Sequence, residues 1–381
     1  MTEVHGRAQE KGLHPRPLEV GMSVSQFIDR AFLGSTAGEL AAAADLLVTR
    51  VLQHPDTILG VSLDAELVAS GAGVAALAPL IRGGYIDWAA VTGSNLFYDA
   101  LHALGKPFYR AENRPDGEYE HCGGGLVIRR ADLVAAEQSL REILSGVDFQ
   151  QMMGSAGMHE RVGAQLRLRE KSLGVEYPSM LTTAHEAGLP IFNPSPVDNP
   201  LGSLMAHLGL VGNRLALDIS TDLNEAAAIL NAAHARGAAC AVWCLGRGAA
   251  SNFVLSVPRH LRAFLGPERA PRYLARIRMA GRAHELPTDS TELRPEDRSG
   301  ARAGSPRIDA AGGAESPALT QGELPVDFAL STDLTVALPL LTAYILDRVP
   351  PRPLKRLSQR RSEMLDRLRQ DHSQSVLRRP L

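Results

Sequence analysis

Residues 240–253, CAVWCLGRGAASNF, join an apolar run to a short glycine-flanked break. The apolar run CAVWCL reads as a buried strand, and Gly246-Arg247-Gly248 then breaks it. The small residues Ala249, Ala250 and Ser251 are suited to open a helix. A Gly-x-Gly after a strand lets backbone N–H groups approach a phosphate closely. A lone Gly-x-Gly is weak evidence by itself. The full dinucleotide fingerprint is not met. Ser251 stands where Gly or Ala is wanted, and no acid ends the next strand about 20 positions on. Glu268 comes before that strand instead.

Working outward, strand-like and helix-like segments alternate. TDLNEAAAILNAAHARG (221–237) reads as a helix, and NRLALDIS (213–220) before it as a strand. Upstream, DTILGVSL (56–63) and IDWAAV (86–91) read as strands. Residues 24–51, 65–84 and 96–104 read as helices. VIRRADLVAAEQSLREILSGV (127–147) reads as one helix, or a turn and a helix. GLPIFNPSP (188–196) reads as a strand and a proline-rich loop. YLARIRMA (273–280) is a further strand, and TVALPLLTAYILDRV (335–349) a last apolar helix. Repeated alternation predicts an α/β fold, an open parallel sheet with helices on both faces. Ligands of such folds sit beyond the carboxyl ends of the strands. The informative residues are therefore Asp64, Thr92-Gly93-Ser94-Asn95, Asp198 and Gly246-Arg247-Gly248.

The 381 residues suffice for one large domain or two modest ones. A hydrophobic fraction of 45% with 22% charged residues is ordinary for a globular chain. The net charge of −2 argues against a nucleic-acid or membrane-surface binder. Three cysteines, Cys122, Cys240 and Cys244, are too few for a disulfide framework. No secretory leader and no membrane-spanning run is expected, so the cytoplasm is the expected location. The organisation reads as a loose arm over 1–21, one domain over 22–349 and a basic tail over 350–381. Within the domain, 284–324 is a long polar loop, disordered or functional. The tail reads as a basic amphipathic helix, solvated or facing another subunit.

VTGSN (91–95) could hold a ribose or phosphate with its N–H and hydroxyl groups, or could be an ordinary helix cap. Asp99 lies one turn further on. Asp198, among the prolines of NPSPVDNPLGS (193–203), could grip ribose hydroxyls or an ammonium, or could form an Asx turn.

In order and spacing these loops resemble one family, deoxyhypusine synthase and its bacterial relatives. TGSNLFYDALHALGKPFYR is similar to the family's Thr-Gly-Ala-Asn-Leu segment. PIFNPSPVDNPLGSLMA is similar to its strand, Pro-x-x-x-Asp and Leu-Gly pair. LALDISTDLNE matches its Leu-Asp-Ile strand, CLGRG takes the place of its Leu-Gly-Gly-Gly loop, and STDLTVALPLLTA resembles its Ala-Asp-Ala-Ser stretch. The resemblance spans about 28–346. It implies a Rossmann-like fold, NAD as cofactor, and a homotetramer with sites between paired subunits. It also implies transferase chemistry on a small amine or polyamine. NAD would oxidise the amine to an imine, a lysine would capture the aminobutyl group, and an acceptor amine would receive it. Carried over, the cofactor positions are Thr92, Gly93, Ser94, Asp198, Gly246, Gly248 and Asp333. Tyr98, Asp99 and Asn252 fall in the amine pocket.

The departures are specific. Tyr98 stands where the family has an acid, or a histidine in relatives using small amines. Asn252 replaces a histidine. The first loop, Thr-Ser-Asn-Leu in the family, is Asp64-Ala65-Glu66-Leu67 here. The chain has four lysines, Lys11, Lys106, Lys171 and Lys355. None falls in 284–324, where the family lysine belongs and where Arg294-Pro295-Glu296-Asp297 echoes its Arg-Pro-Asp-Glu. Arginine cannot serve, because guanidinium stays protonated. Two readings follow. One is an NAD-dependent enzyme that oxidises an amine and passes the imine directly to a second amine, without a lysine-bound intermediate. The other is a non-catalytic member that keeps fold and assembly, binding a nucleotide or pairing with an active paralogue.

Overall fold

The computed structural model describes residues 13–112, 114, 117–197, 199–266, 271–281, 307–308 and 326–377. The chain enters through α1 (Val24–Ala31) and α2 (Ser35–Leu46), which runs on as a π-helical turn to Leu52. The parallel core follows: β1 (Ile58–Leu63), α3 (Ala78–Arg82), β2 (Trp88–Val91) and α4 (Gly93–Ala103). A small antiparallel sheet of β3 (Tyr109–Arg110), β4 (Tyr119–His121) and β5 (Leu126–Arg129) interrupts it, and α5 (Arg130–Leu144) leads back. Next come β6 (Met152–Met153), α6 (Ser155–Leu173), α7 (Met180–Ala187), β7 (Ile191–Phe192), α8 (Pro200–Leu210), β8 (Ala216–Leu217) and α9 (Ile219–His234). Then β9 (Cys240–Leu245), α10 (Ala249–Leu265), β10 (Tyr273–Ala280), β11 (Arg307–Ile308), β12 (Val326–Ser331), α11 (Leu334–Arg348) and α12 (Arg361–Leu377) complete it.

The main sheet runs β11-β12-β10-β9-β1-β2-β7, and every pairing but β11–β12 is parallel. From β7 the parallel strands therefore follow the chain order 3-2-1-4-5-6 of a doubly wound Rossmann-like sheet. All residues of β1, β2 and β9 are buried, as expected of strands covered on both faces. The order reverses between β1 and β9, which is the topological switch point. Register puts the strand ends level: Leu63 pairs with Val91 and with Leu245, and Leu245 with Met279. Asp64, Thr92 and Gly246 consequently leave the sheet side by side.

Several readings change in the structure. The helix expected over 24–51 is two helices parted at 32–34, and the segment expected as a helix, or a turn and a helix, over 127–147 begins as strand β5. The helix expected from residue 65 begins only at Gly73, after turns. Asn95 reaches across to take the N–H groups of Leu67 and Val68, which diverts that segment from helix. Residues 213–220 are no strand of the main sheet. Only Ala216 and Leu217 pair, with β6, because Asp218 at once caps α9 through Ser220 N at 3.0 Å. The basic tail is not solvated all round. Leu357, Met364 and Leu368 are buried against α9 and α10, and Asn231 donates to Asp371 at 2.7 Å. No described helix is long and apolar enough to cross a membrane.

Candidate functional site

The switch point is closed by three side chains of the chain itself. The first is Asp64. It directly follows β1 and reaches the first turn of α10, whose N-cap Gly248 offers no side-chain bond. One carboxylate oxygen accepts from Ala250 N at 2.8 Å and the other from Ser251 N at 2.8 Å. The Ser251 hydroxyl donates to the same carboxylate and lies 2.9 Å from that of Ser62. Burial pushes the Asp64 carboxyl up, against the Ser251 and Ala250 bonds, which lower it. The glycines are shaped to this carboxylate. A Cβ on Gly248 would lie 2.6 Å from Asp64 Oδ1, and one on Gly246 2.7 Å from Ala65 N. Gly246 also has φ +105°, where a side chain is strained. Arg247 between them is exposed.

The second is Asn95, fully buried. Its oxygen holds Leu67 N and Val68 N, and its amide donates to Ala65 O and Thr92 Oγ1, both at 2.9 Å. The third is Asn199, the N-cap of α8, which accepts from Leu201 N at 3.0 Å and Gly202 N at 3.2 Å. Its amide covers Gly93, where a Cβ would come within 1.9 Å of Nδ2.

Of the positions carried over from the family, Thr92, Gly93, Ser94, Gly246 and Gly248 do come together at this edge, on β2, α4 and the β9–α10 loop. Asp198 lies outside the described residues. Asp333 is exposed and caps its own helix α11, accepting from Thr335 N at 2.8 Å, and its carboxyl is held low by Thr335. Asn252 is exposed on the first turns of α10. Tyr98 is half-buried, its ring packed edge-on to Phe108. Burial first, then Cys122, Glu66 and Glu120, push its phenol up to about 12, so it stays protonated near neutrality. Asp99 lies against Gly73, where a Cβ would come within 2.9 Å of its Oδ1. It is fully buried and accepts from Met180 N at 2.8 Å and Leu181 N at 2.7 Å, at the start of α7. Burial pushes it up to about 6.

The described lysines are all elsewhere. Lys355 lies at the opposite, amino end of β1, donating to Pro55 O and Thr57 O and pairing with Asp87 at 3.4 Å. Lys106 follows the far end of α4 and pairs with Asp132 at 3.7 Å, and Lys171 is exposed on α6. Cys240 and Cys244 are buried on β9, and burial pushes their thiols up to about 12 and about 11.

A family model for deoxyhypusine synthase matches residues 27–272. The chain belongs to the deoxyhypusine synthase family. A deoxyhypusine synthase-like protein of Nostoc sp. is 37% identical over 368 residues, covering 95% of this chain and 91% of that protein. A protein named probable deoxyhypusine synthase 1, of Methanosarcina acetivorans, is 28% identical over 243 residues, 61% of this chain and 71% of the other. The crystal structure of a candidate deoxyhypusine synthase from Entamoeba histolytica shares the fold. Its TM-score is 0.54 at 12% identity, over 90% of this chain and all of that one.

The family is NAD-dependent in general, so the fit of a dinucleotide is a direct question for this edge. Its pyrophosphate would want free N–H groups at a helix N-terminus. At α10 those of Ala250 and Ser251 are held by a carboxylate, and at α4 the glycine cradle is filled by Asn199. The residues present do not fit a pyrophosphate at either place. Asn95 is among the residues the sequence points to, as part of a ribose- or phosphate-holding loop or a helix cap, but it holds the first loop instead; Asn199 is not among them. The signal for Asn199 was present, an Asn before Pro200 at the first position of a helix.

Proposed function

We propose that this chain is an amine-binding member of the deoxyhypusine synthase family that does not carry out NAD-and-lysine transfer. The observation that carries the proposal is the placement of the lysines. The three described ones stand away from the switch point, and 284–324 holds none. Aminobutyl capture by an enzyme lysine therefore has no group to run through in the family position. A cationic ligand is supported by the first loop. The family's Thr-Ser-Asn has become Asp64-Ala65-Glu66, and Glu66 and Glu120 both act on the Tyr98 phenol. Acids at a crevice mouth favour an ammonium and disfavour an anionic dinucleotide. By family resemblance the protein would work as a cytoplasmic homotetramer, with the amine held between paired subunits.

A second reading has one feature in its favour. Thr92, Gly93, Ser94 and Asp333 keep the family's cofactor pattern, which suits an NAD-dependent oxidation of an amine with direct capture by a second amine. That reading requires the pyrophosphate to sit elsewhere than on α10 or α4. The test is calorimetric titration of spermidine, putrescine and agmatine into wild type and Glu66→Gln. One of the three binds wild type, and the variant binds it about tenfold more weakly, as expected for loss of one partly screened ion contact. No binding by any of them, or equal binding by the variant, overturns the amine reading.

A further inference from the structure

We propose that Asp64 is a built-in anion, a carboxylate that fills the phosphate-binding N-terminus of α10 and keeps phosphate ligands off the switch point. The inference stands whether or not the crevice takes an amine. In a sheet of order 3-2-1-4-5-6, the helix after the fourth strand starts at the switch point. Here that helix is α10, with 17 residues and a glycine on either side of Arg247. Its first N–H groups have no acceptor in their own helix and carry the positive end of its dipole. They call for an anion.

The chain supplies one from a strand 186 residues earlier. Both Asp64 oxygens are engaged, one by Ala250 N and the other by Ser251 N and Oγ. This is the pattern in which a bound phosphate would use those donors. The neighbours also fit the carboxylate. Gly248 admits Asp64 Oδ1 at a distance no Cβ would tolerate, and Gly246 admits the backbone at Ala65 and the Asp64 Cβ. Gly-x-Gly is therefore explained here by the approach of Asp64, with no phosphate needed. Asn95 fixes the loop that carries the acid by holding Ala65 O, Leu67 N and Val68 N. A phosphate arriving at α10 would meet occupied donors and a like charge in the same place. Asp64 is partly exposed, so removing its carboxylate opens the helix end toward solvent and gives no sealed cavity.

The experiment uses the full chain, with inorganic pyrophosphate as the probe. Wild type and Asp64→Ala are titrated by calorimetry, and the amide signals of Ala250 and Ser251 are followed by NMR. Asp64→Ala is expected to bind pyrophosphate at least about tenfold more tightly than wild type, with both amides shifting. In wild type both amides should stay where they are. A folded Asp64→Ala that gains no binding overturns the proposal. If that variant does not fold, wild type decides alone: unmoved amides support the proposal, and shifted amides overturn it.

Discussion

Replacing Asp99 by Ala distinguishes a ligand-holding acid from one that holds the fold together. Asp99 sits at the family's amine-pocket position, but in this structure it faces the start of α7. It is fully buried, with Met180 N and Leu181 N on its two oxygens. Asp99→Ala removes both acceptors and leaves two buried donors, each costing about 1–3 kcal/mol. Against that, the ionised carboxylate is held in an unfavourable place. Its carboxyl moves from an ordinary 3.8 to about 6. Two units correspond to about 3 kcal/mol of preference for the protonated form. Part of the loss is thus offset at neutral pH, and a net destabilisation of about 2 kcal/mol is expected at pH 7. The sign of the pH dependence follows. A carboxyl raised in the folded state adds stability that is full below its unfolded value and is lost as pH rises through the folded value. Wild type should therefore gain on Asp99→Ala as pH falls from 7 to 4, by up to about 3 kcal/mol. Urea unfolding read by the buried Trp88 and Trp243 reports both quantities. A variant as stable as wild type at pH 7, or a gap that narrows on acidification, would refute the reasoning. Lost amine binding with stability unchanged would return Asp99 to the ligand.

Two further outcomes follow from the packing. Glu225 is buried beside Arg361, with Nε at 2.9 Å, and burial pushes its carboxyl up to about 7. By the same sign, wild type should gain on Glu225→Gln as pH falls from about 7 to 4.5, by about 2–3 kcal/mol; equal slopes in urea unfolding would remove this role for the acid that faces the C-terminal helix. Gly93→Ala would drive a Cβ onto the Asn199 amide and cost about 1–2 kcal/mol for the α8 cap alone. A lowered melting temperature checks it, and a neutral substitution would mean that Asn199 swings clear without loss.

The alternation of apolar runs was enough to read an open parallel sheet, because β1, β2 and β9 are buried on both faces and are apolar throughout apart from Gly60 and Ser62 of β1. It also brought Thr92 and Gly246 to one edge. What the alternation could not convey was who their neighbours are. Gly246 and Gly248 look alike in sequence whether they cradle a phosphate or an aspartate, and the aspartate lies far back in the chain. The same holds for Asp99, whose partners Met180 and Leu181 are about 80 residues away. Short paired segments such as Ala216–Leu217 escape periodicity altogether, since two residues show no alternation. The docking of α12 was hidden by its charge. Met364 and Leu368 form a narrow apolar stripe among arginines, and Leu357 is buried in the turn just before the helix.

Whether the wild-type chain binds NAD decides between a switch point filled by Asp64 and Asn199 and one open to a dinucleotide. Equilibrium titration of the full-length protein with NAD, at neutral pH and moderate salt, measures it. No saturable binding is expected up to millimolar NAD, about the weak limit of specific recognition. Saturable binding in the micromolar range would contradict that expectation and would restore the dinucleotide-dependent reading of the switch point.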